Sequence, residues 1–171
     1  MDRVIADVAA ARVARLATTG PDGRPDLVPI TFALVGSGDA TRLVTAVDHK
    51  PKTTRHLRRL DHIRARPEVT VIVDHYDDLD WDRLWWVRIR GDARVLDDEQ
   101  EHRPLVDALV AKYPQYRETR PAGPVIEVVP TSWQWWSAAE GAGRAPTAPR
   151  TNGPTGPHAS GPDPHPETEQ P

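Results

Sequence analysis

Along the chain, short apolar-rich runs alternate with turn residues at intervals suited to strands. Val13–Thr18, Leu27–Val35, Arg42–Val47, Val69–Tyr76, Leu84–Leu96 and Val125–Trp133 each read as a strand. Gly20-Pro21-Asp22-Gly23 and Gly36-Ser37-Gly38-Asp39 are tight turns between the first three, which predicts an antiparallel meander. Two segments carry helical patterning instead, a basic one over about Pro51–Arg66 that ends at Pro67 and another over about Asp98–Lys112. Asp2–Ala11 reads as a short amphipathic helix, and Gly91 in the long fifth strand as a bulge or bend. Many antiparallel strands with few helices predict a mainly β fold, a small barrel rather than a doubly wound sheet.

The pattern stops near Ser137. Beyond it the chain is dense in Pro, Gly and Thr and lacks apolar periodicity, so residues 138–171 are expected to form a disordered tail and residues 1–137 the folded domain. His158 and His165 then belong to tail composition rather than to a metal site.

Charge and composition narrow the function. A formal net charge of -3 gives no excess of Lys and Arg for sequence-independent nucleic-acid binding. Cys 0 excludes disulfides, thiolate metal sites and cysteine nucleophiles, and makes the cytoplasm the natural compartment. The first residues carry acids and arginines where a signal peptide has an uninterrupted apolar core, and no run is long enough to span a membrane.

The candidate chemistry lies between Leu43 and Tyr76, where a strand enters the Lys50-Pro51-Lys52 turn and a basic helix follows. First-turn N–H groups of a helix lack intrahelical partners and carry the positive end of the dipole, so an anion supplemented by lysine is stabilised there. Pro51 suits that first turn, and Arg55 stands one turn beyond Lys52 on the same face. The alternative is that these are ordinary solvated charges. Asp48 and Thr45 stand at the strand end, where a ring system is commonly oriented, although Asp48 equally suits a helix N-cap.

Trp85-Trp86-Val87-Arg88-Ile89-Arg90 alternates, with Trp85, Val87 and Ile89 on one face and Trp86, Arg88 and Arg90 on the other. An indole beside two arginines suits a subunit interface or a planar anionic ligand, and cross-strand packing of long side chains is the other reading. Trp133, Trp135 and Trp136 close the folded part and call for something large to dock against. The acidic run from Asp74 to Asp82 lacks the glycine and terminal glutamate of a calcium loop, and reads as a solvated loop. No nucleophile elbow, paired catalytic carboxylates or Ser-His-Asp order stands out, so any chemistry is expected to belong to a cofactor.

RVARLATTGPDGRPDLVPITFAL, LVTAVDHKPKTTRHLRRL, RPEVTVIVDHY, LWWVRIRGDARVL and the closing GPVIEVVP with its tryptophans resemble the pyridoxamine phosphate oxidase-like superfamily over about residues 5–137. More narrowly, they resemble its branch that uses the deazaflavin coenzyme F420. The resemblance implies an FMN-binding-type split β-barrel, antiparallel and homodimeric, with cofactor sites at the subunit interface. It implies that Lys50, Lys52 and Arg55 hold the cofactor phosphate, that Thr45, Ala46, Val47 and Asp48 line the ring, and that Trp86 and Arg88 shape the site from the interface. FMN is the alternative cofactor, and a non-catalytic flavin-binding protein the alternative function. Trp133-Gln134-Trp135-Trp136 stands where the true oxidases have an Arg-Leu-x-Pro type ending, which counts against pyridoxamine phosphate as substrate.

Overall fold

A computed structural model describes residues 1–47 and 57–146 of the chain. Helix α1 (Asp2–Ala10) lays Val8 into the core and leads to β1 (Ala14–Thr19). The remaining strands are β2 (Pro25–Ile30), β3 (Ala33–Val35), β4 (Arg42–Ala46), β5 (Glu68–His75), β6 (Trp85–Leu96), β7 (Val125–Ser137) and β8 (Gly141–Pro146). Helix α2 (Arg58–Ala65) precedes β5, while α3 (Glu99–Lys112) and the one-turn α4 (Gln115–Glu118) connect β6 to β7. The strands form one antiparallel sheet in the order β2-β1-β5-β6-β7-β4-β3, with β8 added alongside β7. This sheet curls into a split β-barrel.

The expected meander is corrected in one respect. The run from Leu27 to Val35 is not a single strand: β2 pairs with β1 and β3 with β4, and the two lie at opposite edges of the sheet. The chain crosses from one edge to the other at Thr31 and Phe32, which is how a curled sheet brings its edges together. A residue at such a crossing has no ladder partner, and a buried unpaired backbone group is costly. Tyr113, at the end of α3, supplies the partner. Its hydroxyl accepts from the Phe32 N–H at 3.0 Å and lies 2.9 Å from the carbonyl oxygens of both Phe32 and Arg12, to one of which it donates. Thr31 is held in the same way, its Oγ1 2.7 Å from the Tyr116 hydroxyl.

Two apolar layers result. Leu16, Phe32, Leu43, Val71, Val73, Ile89, Val128 and Trp133 fill the barrel interior. On the other side of β3 and β4, Val44 and Ala33 meet Leu109, Tyr113 and Tyr116, and α3 also packs Val106 against Leu96 and Val125. Asp98 caps α3 by accepting from the Glu101 N–H at 3.0 Å, and Arg94 ties the helix to the sheet through Glu101 at 3.0 Å and the buried Glu127 at 2.5 Å. The hydrogen bond to Glu127 raises the pKa of Arg94.

Gly91 is the expected bulge. Register slips between Arg90 and Gly91, leaving Thr131 as the extra residue of β7, its Oγ1 donating to the Arg90 carbonyl at 3.2 Å. A Cβ on Gly91 would lie 2.4 Å from the Val129 carbonyl oxygen, so the close approach requires glycine. The slip moves the interior face of β7 from Trp133 to Pro130, Val128 and Ile126.

β7 also runs past its expected end at Trp133, and β8 pairs back on it from Ser137↔Gly141 to Ser132↔Pro146. The ordered sheet therefore includes residues 141–146, inside the segment expected to be tail, because Gly143 leaves room for the Trp135 indole to lie across the added strand. Residues 147–171 lie outside the described residues. No helix among the described residues is long and apolar enough to cross a membrane.

Beside the crossing, the Lys112 ammonium sits 3.9 Å from the Phe32 ring centroid, its Nζ buried without a hydrogen-bond partner. Burial, and secondarily the neighbouring Arg12, lower its pKa to about 8. Burial likewise pushes the Tyr113 hydroxyl pKa up.

Two outcomes follow from this corner of the molecule. Tyr113→Phe leaves the Phe32 backbone without its partner and is expected to lower unfolding free energy by about 1–3 kcal/mol in urea titrations. Lys112→Met is expected to raise the melting temperature at pH 7, because the wild-type ammonium is disfavoured in the fold. The folded pKa lies below the unfolded one, so wild-type stability is recovered as pH rises from about 8 towards 10.5. The advantage of the variant should therefore be constant below pH 8 and shrink above it. A variant less stable than wild type at pH 7 contradicts this.

Candidate functional site

The expected site residues fall into three groups. Asp48, Lys50, Lys52 and Arg55 lie outside the described residues. Thr45, Ala46 and Val47 end β4. Thr45 lies opposite Ile126 and is 4% exposed, while Ala46 packs against the buried clusters that contain Leu109 and Val106 of α3. The side chains of Thr45 and Ala46 are thus parts of the packed layers. Val47 continues the strand by donating its N–H to the Pro124 carbonyl at 3.0 Å. Gly123 lies against it so closely that a Cβ there would stand 2.8 Å from the Val47 carbonyl oxygen.

Trp86 and Arg88 form the third group, on the outer face of β6 as the alternation predicted. Val87 and Ile89 are buried, whereas Trp86 and Arg88 are half-buried and Arg90 exposed. Trp85 packs against the interior cluster and stacks on His75 with ring centroids 6.2 Å apart.

The second and third groups do not meet within one chain. Thr45 pairs with Ile126 of β7, and Arg88 pairs with Gln134 of the same strand. The step from Ile126 to Gln134 corresponds to roughly 26 Å of extended strand at about 3.3 Å per residue.

The registers also bring together residues that the alternation of β6 alone does not reveal. Directly opposed residues share a face, so one row across the outside of the sheet reads Arg15, Ile72, Arg88, Gln134 and Arg144. The neighbouring row reads Asp74, Trp86, Trp136 and Ala142. Arg15 forms an ion pair with Asp74 between the rows. Arg88 donates to the Gln134 amide oxygen and lies 5.8 Å from the Trp86 ring centroid. Among the described residues Arg88, Arg90 and Arg144 take part in no ion pair. Such a face, with indoles beside Arg88, Arg90 and Arg144, which have no ion-pair partner among the described residues, suits a flat, anionic group. Extending the period-two alternation through Trp136 would have found Gln134 and Trp136. Arg144 carried no signal, since its segment has no apolar pattern.

Beyond Arg15 and Asp74 the face opens into a groove of about 680 Å³ between α1 and the β5–β6 hairpin, lined also by Arg12, His75, Arg83 and Trp85. A slot of about 40 Å³ among Val4 and the four tryptophans 85, 86, 135 and 136 adjoins it. The acidic loop after β5 is bound up in its own turns, Asp77 accepting from the N–H groups of Leu79 and Asp80 and pairing with Arg83 at 3.1 Å. No group of three or more His, Asp or Glu among the described residues is placed to hold a metal ion.

Comparison with solved structures agrees with the fold. A conserved hypothetical protein of Mycobacterium tuberculosis aligns with a TM-score of 0.64 at 18% identity, covering 80% of this chain and 84% of that one. A FAD-binding protein of Mesorhizobium loti aligns at 0.56 and 22% identity over 78% and 89%. A heme-binding protein of Mycobacterium smegmatis aligns at 0.65 and 14% identity over 84% of this chain and 56% of its own. Among curated proteins none matches.

The seating of Gly123 against Val47 yields a test of how tightly the strand end is held. Gly123→Ala must displace Val47 or the loop before β7, and is expected to cost about 1–3 kcal/mol of stability by thermal or urea unfolding. Wild-type stability would mean the strand end is loosely held. The profile of the pyridoxamine 5'-phosphate oxidase family matches residues 1–137, and the chain belongs to that family.

Proposed function

We propose that the protein is an oxidoreductase that binds the deazaflavin coenzyme F420 between two copies of the chain. The bound coenzyme supplies hydride transfer to or from an electron-poor organic acceptor. One copy contributes the β4 end at Thr45–Val47, with Asp48, Lys50, Lys52 and Arg55 beyond it. The other contributes Trp86 and Arg88 from the outer face of β6. The observation that carries this arrangement is the separation of the two groups along β7. A ring touching both requires residues from two chains.

The residues fit an anionic, planar cofactor. Lys50 and Lys52 are suited to a phosphate ahead of a helix, and the close packing of Gly123 on Val47 gives the strand end a fixed position for a ring edge. Arg88, oriented by Gln134 and free of carboxylate partners among the described residues, offers its charge to the ring's polar edge while Trp86 covers its face. The family membership supports a flavin-like cofactor. Coenzyme F420 in particular rests on the likeness of the sequence to that branch. A flavin in its place is the second reading, favoured by the FAD-binding relative from Mesorhizobium loti.

Mixing two inactive variants tests the shared site. Lys50→Ala/Lys52→Ala and Arg88→Ala are each expected to lose most deazaflavin binding, measured by fluorescence titration. Co-refolded together, they should recover roughly a quarter of the wild-type sites, because half of the random pairs are mixed and each holds one intact site. No recovery from the mixture, with both variants folded, contradicts a site built from two chains. Binding of FMN in preference to the deazaflavin replaces the cofactor and leaves the site.

A further inference from the structure

β8 lies beyond the span matched to the family, which ends at residue 137, yet it extends the sheet at the face carrying Trp86 and Arg88. Its seat is specific. Opposite Trp135, Gly143 lies so close to the indole that a Cβ would come within 2.3 Å of it. That contact fixes the register of the strand, and alternation then turns Arg144 to the other face, directly across from Gln134. Gln134 in turn is opposite Arg88 and accepts its hydrogen bond.

We propose that Arg144 completes an anion-recognition row with Arg88 and Gln134, and that the row takes a flat ligand carrying two carboxylates. Arg88 and Arg144 stand two strand spacings apart, roughly 10 Å. Neither guanidinium has a carboxylate partner among the described residues, and beside the hydrogen bond from Arg88 to Gln134 each has further N–H groups to offer a carboxylate. Trp86 and Trp136, directly opposed and half-buried in the adjoining row, offer indole surface to the body of the same ligand. Gln134 between the arginines serves the ligand's polar edge with its amide. Charge complementarity therefore selects a dianion over a neutral or singly charged aromatic. Arg88 and Trp86 also belong to the proposed cofactor site, so a diacid held by the row would compete with the deazaflavin there, whereas the row itself does not rest on that function.

Calorimetric titration with biphenyl-4,4'-dicarboxylate, without cofactor, tests it. Wild-type protein is expected to bind the diacid and not its dimethyl ester. Arg144→Ala is expected to weaken binding about tenfold or more, the loss of one charged hydrogen-bonding partner. Gly143→Val, which drives β8 off Trp135, should reproduce that loss while the barrel still unfolds cooperatively. Equal binding of diacid and ester, no binding to wild type, or an unchanged Arg144→Ala overturns the proposal. So does an Arg144→Ala protein whose only change is its oligomeric state, which would assign the row to a contact between chains. Deazaflavin affinity measured on the same proteins separates the two readings, since its absence removes the proposed cofactor and leaves the diacid result standing.

Discussion

The structure depends on one hydroxyl group. Where the chain passes from β2 to β3, Phe32 leaves one edge of the sheet before it joins the other, and its buried N–H and C=O have no neighbouring strand. Tyr113 takes the place of that strand, bonding at 2.9–3.0 Å, and so converts a flat run of strands into a curled barrel with its edge strands consecutive in sequence. The bond reaches between residues 81 positions apart, tying α3 to the barrel mouth at the point where the sheet closes. The same corner tolerates a disfavoured lysine charge held against the Phe32 ring.

Once the sheet is curled, β7 becomes its spine. It pairs with β6 along its length, with β4 at one end and β8 at the other. The bulge at Gly91 and Thr131 changes which of its side chains face inward, so the strand serves the barrel interior with Val128 at one end and Trp133 at the other. The two halves of the candidate site are attached to opposite ends of this strand. Under the proposed function, that separation is what makes a second chain necessary.

Much of this was legible in the sequence. Each turn named from Gly, Pro and Asp lies between strands, because those residues meet local backbone demands that tertiary context does not alter. The two-faced reading of Trp86, Arg88 and Arg90 holds for the same reason, as alternation is a property of the strand itself. The crossing at Thr31–Phe32 was not legible, since its partner hydroxyl is supplied by distant Tyr113. Nor was β8, whose Gly-Ala-Gly-Arg-Ala-Pro composition has no apolar face and is held by what it lacks, a side chain under Trp135. The outer-face row of Arg15, Arg88 and Arg144 follows from register, which the sequence does not state. Lys50, Lys52 and Arg55 lie outside the described residues.

A crystal structure of the protein with the reduced deazaflavin bound tests the central claim most directly. The account predicts one ring touching the β4 end of one chain and Trp86 and Arg88 of another. A ring whose contacts all come from a single chain would contradict it.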